Sequence, residues 1–287
     1  MPSLSYRLFS KYLAMLPLPT RINILFFRRF LTLPNLKEPK TFNEKIQYRK
    51  ISDRNPLLTI AADKILSKNY VSDLKLNLYI PQNIWIGSSP EDIDKINFDT
   101  LPDNYVFKAN HTSQTIRIIK ERNHLSTHEM KKLTTEWLEH DQSKTLGEWA
   151  YENIPKKVFI EEYLDFDGTS PDDYKLFVYH GKVIYIQVDT DRFTLHKRNM
   201  FDRDWNDLNF NYSHPRKSPP PKKPDFLDSM INISESIGTN FDFVRVDLYF
   251  YKNQVTFGEL TIYPGAGFEK FPDYTWDLAF GQPWKLL

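Results

Sequence analysis

Apolar side chains recur at helical spacing over roughly the first 60 residues, and the period changes from about residue 76 onward. Leu4, Leu8 and Tyr12 form one stripe at i, i+4, i+8, and Ile22, Leu25, Phe26 and Phe30 form another. Such stripes predict amphipathic helices, here separated by Pro17 and Pro19. A third helix is predicted over residues 42–51 and a fourth over 56–70. Beyond them, LNLYIPQNIWIG, NYVFKANH and KKVFIEEYL are β-branched and aromatic runs bounded by turn residues, which predicts strands. Ser126 and Glu129 stand at capping-box spacing and open a helix over 126–140. DYKLFVYHGKVIYIQVD reads as a hairpin turning at His180 and Gly181. The prolines of HPRKSPPPKKP, residues 214–224, lack amide donors and predict an exposed loop. A helix over 225–237 then leads to a last hairpin, FDFVRVDLYFYKNQVTFGELTIYP. Helices mixed with hairpins, without strict βαβ alternation, predict an α+β architecture.

The last hairpin carries the strongest chemical signal. With Lys252, Asn253 and Gln254 as the turn, pairing outward from Tyr251 and Val255 sets Asp247 opposite Glu259 and Arg245 opposite Thr261. Alternate strand residues share a face, so these four form one polar patch with Val246, Leu248, Leu260 and Ile262 behind it. Opposed Cβ atoms lie about 5 Å apart, and like charges there are destabilising unless neutralised. A divalent cation would neutralise them, and magnesium prefers oxygen ligands beside substrate phosphates. Arg245 would then sit beside the metal, placed to stabilise a transferring phosphoryl group. The competing reading is that Arg245 alone pairs with both carboxylates on an exposed sheet face. Lys108, ending an apolar strand before the polar run His111 to Gln114, suits a nucleotide phosphate but could equally snorkel from a strand end. Glu161 and Glu162 by themselves read as solvated charge, and His111, His180 and His196 show no metal spacing. Neither a Walker-type loop nor a G-x-G-x-x-G run occurs.

Composition narrows the classes. Apolar residues make up 40% and aromatic residues 15%, which excludes a disordered chain. No apolar run approaches the roughly 18 residues of a membrane span. The N-terminus lacks the apolar stretch and cleavage site of a secretory signal, and the absence of cysteine excludes disulfides and thiolate zinc sites. A cytoplasmic protein is expected. Residues 1–37 carry six basic and no acidic side chains, leaving 32 basic and 37 acidic for the remainder, a net of −5. That acidic body speaks against nucleic acid as a partner. The basic segment is expected either to pack on the body or to touch the inner membrane face.

Taken in order, FNEKIQYRK, AADKILSKNYV, FKANH, IEEYL, DDYKLFVYHGK, DTDRF, FDFVRVDLY and FGELTIYPGAGF resemble the TupA-like ATP-grasp family of bacterial polysaccharide gene clusters. The resemblance covers roughly residues 40–287. It implies an ATP-grasp fold of two α+β subdomains clasping ATP behind an N-terminal helical extension. Residues 1–60 would be the extension, 61–165 the N-terminal and small subdomains, and 166–287 the C-terminal subdomain with the magnesium site. It implies ATP and Mg²⁺ as cofactors. Lys64 and Lys108 would contact phosphates, with Asn110, His111 and Ser113 beside them. Glu161, Glu162 and Leu164 would read adenine and ribose, and Asp173 and Lys175 would add nucleotide contacts. Arg192 and Arg245 would act on phosphate or substrate, and Asp247 and Glu259 would ligate the metal. Two departures stand out: Thr261 where ATP-grasp enzymes commonly place asparagine, and Thr112, Ser113 and Gln114 where a glycine-bearing phosphate loop is expected. The implied reaction joins a carboxylate, a hexuronic acid of a surface or capsular polysaccharide, to an amino acid or amine through an acylphosphate. A phosphotransferase of glycan assembly and a scaffold without turnover are the alternatives. Residues 1–37 would contact the inner membrane or the polysaccharide machinery.

Overall fold

The computed structural model describes residues 12–192 and 194–286. Leu4 and Leu8 of the first predicted stripe therefore lie outside the described residues. The second stripe forms α1, Leu18–Phe30, with Pro19 inside its first turn instead of before it. A proline is tolerated there because the first amides of a helix have no intrahelical partner. Ile22 and Phe26 are buried, and the Phe26 ring lies 6.4 Å from that of Phe268. The helix thus packs on the body. Its other face leaves Phe27 exposed, as are Leu31 and Leu33 beyond its end.

α2, Phe42–Ser52, begins with a full capping box between Thr41 and Glu44. Phe42 is wholly buried among the rings of Phe177, Phe243, Phe280 and Trp284. The predicted fourth helix is two helices, α3, Pro56–Ala62, and α4, Leu66–Asp73. The Asp63 carboxylate causes the break. Its Oδ1 accepts from the amides of Ile65 at 2.8 Å and Leu66 at 3.3 Å, so the side chain competes with the helix for those donors.

Two antiparallel sheets follow. The first has the order β1-β4-β2-β3, from β1 (Asn83–Gly87), β2 (Tyr105–Ala109), β3 (Ile116–Ile119) and β4 (Val158–Glu162). α5, Thr127–Glu139, covers one face, with Met130 and Trp137 packed on Phe107 and Ile160. Its capping box at Ser126 and Glu129 is present as predicted. α6, Gln142–Leu146, follows it. The second sheet has the order β7-β6-β5-β8-β9. Its strands are β5 (Asp173–Tyr179), β6 (Lys182–Thr190), β7 (Lys197–Asp202), β8 (Phe243–Tyr251) and β9 (Gln254–Thr261). α7, Leu227–Gly238, packs on one face, and α8, Tyr274–Gly281, joins α2 over part of the other.

β3 and β7 were not anticipated. Both are edge strands, paired on one side only. Neither shows the alternation of a half-buried strand: β3 is a short run of isoleucines around Arg117, and β7 buries the polar Arg198 and Asn199 beside Met200 and Phe201. Residues 214–224 are irregular as predicted, but the Arg198 amide donates to Pro215 O at 3.0 Å and Trp205 Nε1 to Pro221 O at 3.2 Å, tying the loop to the β7 region.

Candidate functional site

The β8–β9 hairpin turns on Lys252 and Asn253, both at positive φ, so Tyr251 pairs with Gln254 instead of Val255. Continued unbroken, that register would set Asp247 opposite Gly258. A bulge between Leu248 and Asp247 absorbs one residue of β9, and Asp247 faces Glu259 as expected, with Arg245 opposite Thr261. The predicted pairing is therefore right, although its route runs through a tighter turn and a bulge. Gly258 sits at that bulge, where a Cβ would stand 2.8 Å from the Asp247 carbonyl oxygen. Any side chain would force the strands apart.

Asp247 is not an exposed carboxylate awaiting one arginine. It is 1% exposed, and Arg245 grips it twice, Nε to Oδ1 and Nη2 to Oδ2, both at 2.7 Å. Lys175 on β5 donates to the same Oδ2 at 2.7 Å and to Asp173 Oδ2 at 2.6 Å. Arg192 also donates to Asp173 Oδ2. Burial opposes ionisation of Asp247, but Arg245 and Lys175 outweigh it and hold the group below its usual range. For Asp173 burial wins and its carboxyl is pushed up; its Oδ1 has no hydrogen-bond partner among the described residues. Glu259 differs. It is exposed, and its carboxylate has neither hydrogen bond nor ion pair among the described residues. The repulsion that called for a cation is thus met by Arg245 and Lys175 within the fold, so the pair alone does not demand a metal. As a donor set the two acids still fit magnesium, which takes one or two carboxylates beside substrate phosphates.

Across from this patch stands the uncovered face of the first sheet. Lys108 and Glu161 alternate with the residues that pack under α5, and Lys108 Nζ donates to Glu161 Oε1. Glu161 Oε2 takes a second lysine, Lys68 of α4, at 2.5 Å. Lys68 was not foreseen, and no sequence signal marks it, because the helix break sets its position relative to Glu161. Burial pushes the Glu161 carboxyl up, yet Lys108 and Lys68 together hold it below its usual range. Glu162 accepts from the Tyr79 hydroxyl at 2.5 Å. Lys64 is swung out by the break between α3 and α4, its amide bonded to Asn110 O at 3.1 Å and its Nζ to Thr112 O. Burial pulls its ammonium down, and Glu259 partly restores it.

A cleft of about 330 Å³ lies between the two sheets. Lys64, Lys108, Glu161, Glu162, Leu164, Arg192 and Glu259 line it, with Val106, Ile116, Ile118, Phe166, Tyr249 and Phe257 as its apolar surface. The unforeseen β3 thus supplies part of the apolar wall. Asn110 and His111 do not line it. Asn110 is fully buried, donating to Asp63 Oδ2 at 3.0 Å and Pro155 O at 3.1 Å and accepting from the Lys157 amide at 2.8 Å. His111 lies between Asn110 Oδ1 and Trp137 O, at 3.1 and 3.0 Å, and burial pulls its imidazole down to about 4. Both act as braces for the segment that carries Lys108 and Lys64. Ser113 is exposed at the mouth of a neighbouring cavity. Gln114 adopts φ 63, so the loop takes the left-handed turn that glycine would favour without having one.

Two antiparallel sheets facing each other across a cleft lined by lysines and carboxylates have the architecture of the ATP-grasp class. The model of the TupA-like ATP-grasp proteins matches residues 44–285, and the chain belongs to that family. Among solved structures, the VanG D-Ala:D-Ser ligase from Enterococcus faecalis aligns over 78% of this chain and 60% of that one, at 15% identity and a TM-score of 0.48. The D-alanine–D-alanine ligase from Bacillus anthracis complexed with ATP aligns over 71% and 55%, at 16% identity and 0.42. The ATP-grasp ligase PsnB complexed with minimal precursor aligns over 76% and 58%, at 10% identity and 0.43. The chain thus spans less than two thirds of each of these structures. No curated protein matches it in sequence.

Proposed function

We propose that the chain is an ATP- and magnesium-dependent ligase that joins a carboxylate, a hexuronic acid of a surface polysaccharide, to an amine through an acylphosphate. The observation that carries this reading is the cleft itself. One cleft combines an apolar wall with Lys64, Lys108 and Arg192 and with the Glu259 carboxylate, which has no ion pair among the described residues. The wall suits a purine base and the cations suit phosphates. When bound, ATP would supply the phosphoryl group, with Mg²⁺ held by Asp247 and Glu259. The chain's own residues bind and orient. Lys64 and Lys108 hold anionic oxygens, Arg245 faces the carboxylate being activated, and the apolar wall excludes water, which strengthens each of these contacts. Arg245 is anchored on Asp247 and Thr261 Oγ1, the latter at 3.0 Å, so Thr261 orients the arginine where an asparagine would commonly stand.

Purified protein supplied with a sugar acid and an amine should form ADP, phosphate and an amide, with Asp247→Asn and Glu259→Gln reducing ADP formation at least a hundredfold, roughly the scale of lost electrostatic stabilisation. ADP formation unchanged in both variants would sink the assignment. A stable phosphorylated acceptor in place of the amide would make the chain a phosphotransferase.

We also propose that the outer face of α1 rests on anionic lipid. The support is the exposed apolar set Phe27, Leu31 and Leu33 beside Arg28 and Arg29 in the last turn. Sedimentation with phosphatidylglycerol vesicles should fall in a Phe27→Ser, Leu31→Ser variant; equal sedimentation would exclude the contact.

A further inference from the structure

A second cavity of about 290 Å³ adjoins the cleft and shares Lys64 and Glu259 with it. Arg245, Thr261, Glu148, Gln142 and Tyr151 line it as well. The charges of Glu148, Glu259 and Arg245 all act on the Tyr151 hydroxyl, so the three groups surround one small space. Its floor is the turn Pro264–Gly267, held in place by α2: Gln47 Nε2 donates to the carbonyls of Ala266 and Gly267 at 3.0 and 2.8 Å, and Lys50 Nζ to Ala266 O at 2.7 Å.

Glu148 is the unusual member. It is 4% exposed, and the one hydrogen bond to its carboxylate among the described residues comes from Gln142 Nε2, at 3.1 Å to Oε2. It forms no ion pair among the described residues. Lys50 acts on it through space while donating a hydrogen bond to the Ala266 carbonyl. Burial pushes the Glu148 carboxyl up, and Lys50 and Gln142 only partly offset this. A buried, unpaired carboxylate costs several kcal/mol unless a ligand or water completes it. Glu148 also stands where the backbone is firm, between Gly147, which caps α6 in the left-handed conformation, and the helical turn Trp149–Tyr151.

The cavity is therefore polar in a defined sense. It offers Arg245 and Lys64 to an anion, and to a cation it offers Glu148, a carboxylate without an ion pair among the described residues. An anionic group belongs beside Arg245 and Lys64 and a cationic one beside Glu148. We infer that Glu148 receives the ammonium group of the amine substrate and takes its proton. The inference rests on the ligase reading given above. One proton passes from the ammonium to the Glu148 carboxylate, leaving a neutral amine. The nitrogen lone pair then forms the bond to the acylphosphate carbon, the carbon–oxygen bond to phosphate breaks, and phosphate leaves with that electron pair. The second proton of the attacking nitrogen goes to the departing phosphate, and Glu148 returns its proton to water.

The test reads melting temperature of the full chain with MgADP, titrated with ethanolamine, putrescine and the amino acids, each against its N-acetylated counterpart. At least one amine should raise the melting temperature while its acetylated form does not. Glu148→Gln, which keeps the shape and the Gln142 contact, should weaken that amine roughly tenfold or more, the usual loss for a hydrogen bond to a charged group. The MgADP shift should be unchanged. Glu148→Asp keeps the charge but withdraws it by one methylene, and should weaken the amine as well. Equal amine stabilisation of wild type and both variants overturns the inference, as does a wild type that responds to MgADP and to no amine. A wild type that does not respond to MgADP overturns the ligase reading and this inference with it.

Discussion

Asp63, Lys64 and Asn110 meet at one point, and only one of them reaches the cleft. Asn110 binds Asp63, Pro155 and Lys157 and is fully buried, whereas the Lys64 side chain opens onto both cavities. Their substitutions should separate cleanly. Asn110→Ala leaves buried partners unsatisfied and should cost about 1–3 kcal/mol in denaturant unfolding. Lys64→Met should leave stability nearly untouched while raising the dissociation constant for MgATP about tenfold or more in calorimetry, as expected on losing a charge-assisted bond to phosphate. If Lys64→Met binds MgATP as wild type does, the phosphate role of Lys64 is excluded. The resemblance places Lys64, Asn110 and His111 together, and nothing in the letters distinguishes the brace from the ligand. Burial distinguishes them.

At the scale of elements, the β8–β9 hairpin shows how a correct pairing can rest on an incomplete register. A two-residue turn with both residues at positive φ matches the twist of paired strands, and it alone would face Asp247 with Gly258. The bulge restores Glu259 to that position. Gly258→Ala should therefore destabilise the chain by about 1–3 kcal/mol, the usual penalty for overpacking. It should also depress ADP formation, because the strain lands beside Glu259. A variant as stable and as active as wild type would show that the bulge tolerates a side chain. The period-2 pattern made the hairpin legible, and the capping box did the same for α5. β3 and β7 were missed because neither alternates: β3 is four residues, three of them isoleucine, and β7 buries the polar Arg198 and Asn199 beside Met200 and Phe201. The break between α3 and α4 was missed because a helical period continues through it, while Asp63 takes the amides that would have closed the turn.

In the whole molecule, the first sheet contributes Lys108, Glu161, Val106, Ile116 and Ile118 to the cleft, and the second contributes Tyr249, Phe257 and Glu259, with Arg192 from the segment after β6. A ligand that touches both should tie them together. Saturating MgATP, at about a hundred times its dissociation constant, should stabilise the protein by about 2.7 kcal/mol, as binding to the folded state alone requires. Removing magnesium with a chelator should reverse most of that gain. Hydrogen exchange should slow in β2 and β4 as well as in β8 and β9; protection of one sheet only would place the nucleotide outside the cleft.

By itself, the sequence determined the periodic elements, the α+β class and the facing of Asp247 and Glu259, since each of these depends on neighbours along one helix or one hairpin. Tertiary structure decided the rest. It set Lys68 and Lys108 on one carboxylate, added Lys175 of β5 to the Arg245 that the hairpin already places beside Asp247, and turned Asn110 and His111 inward. It also left Glu148 buried without an ion pair among the described residues. Each of these outcomes depends on which distant segments exclude water from a charged group, and that exclusion exists only once the two sheets and their helices have packed.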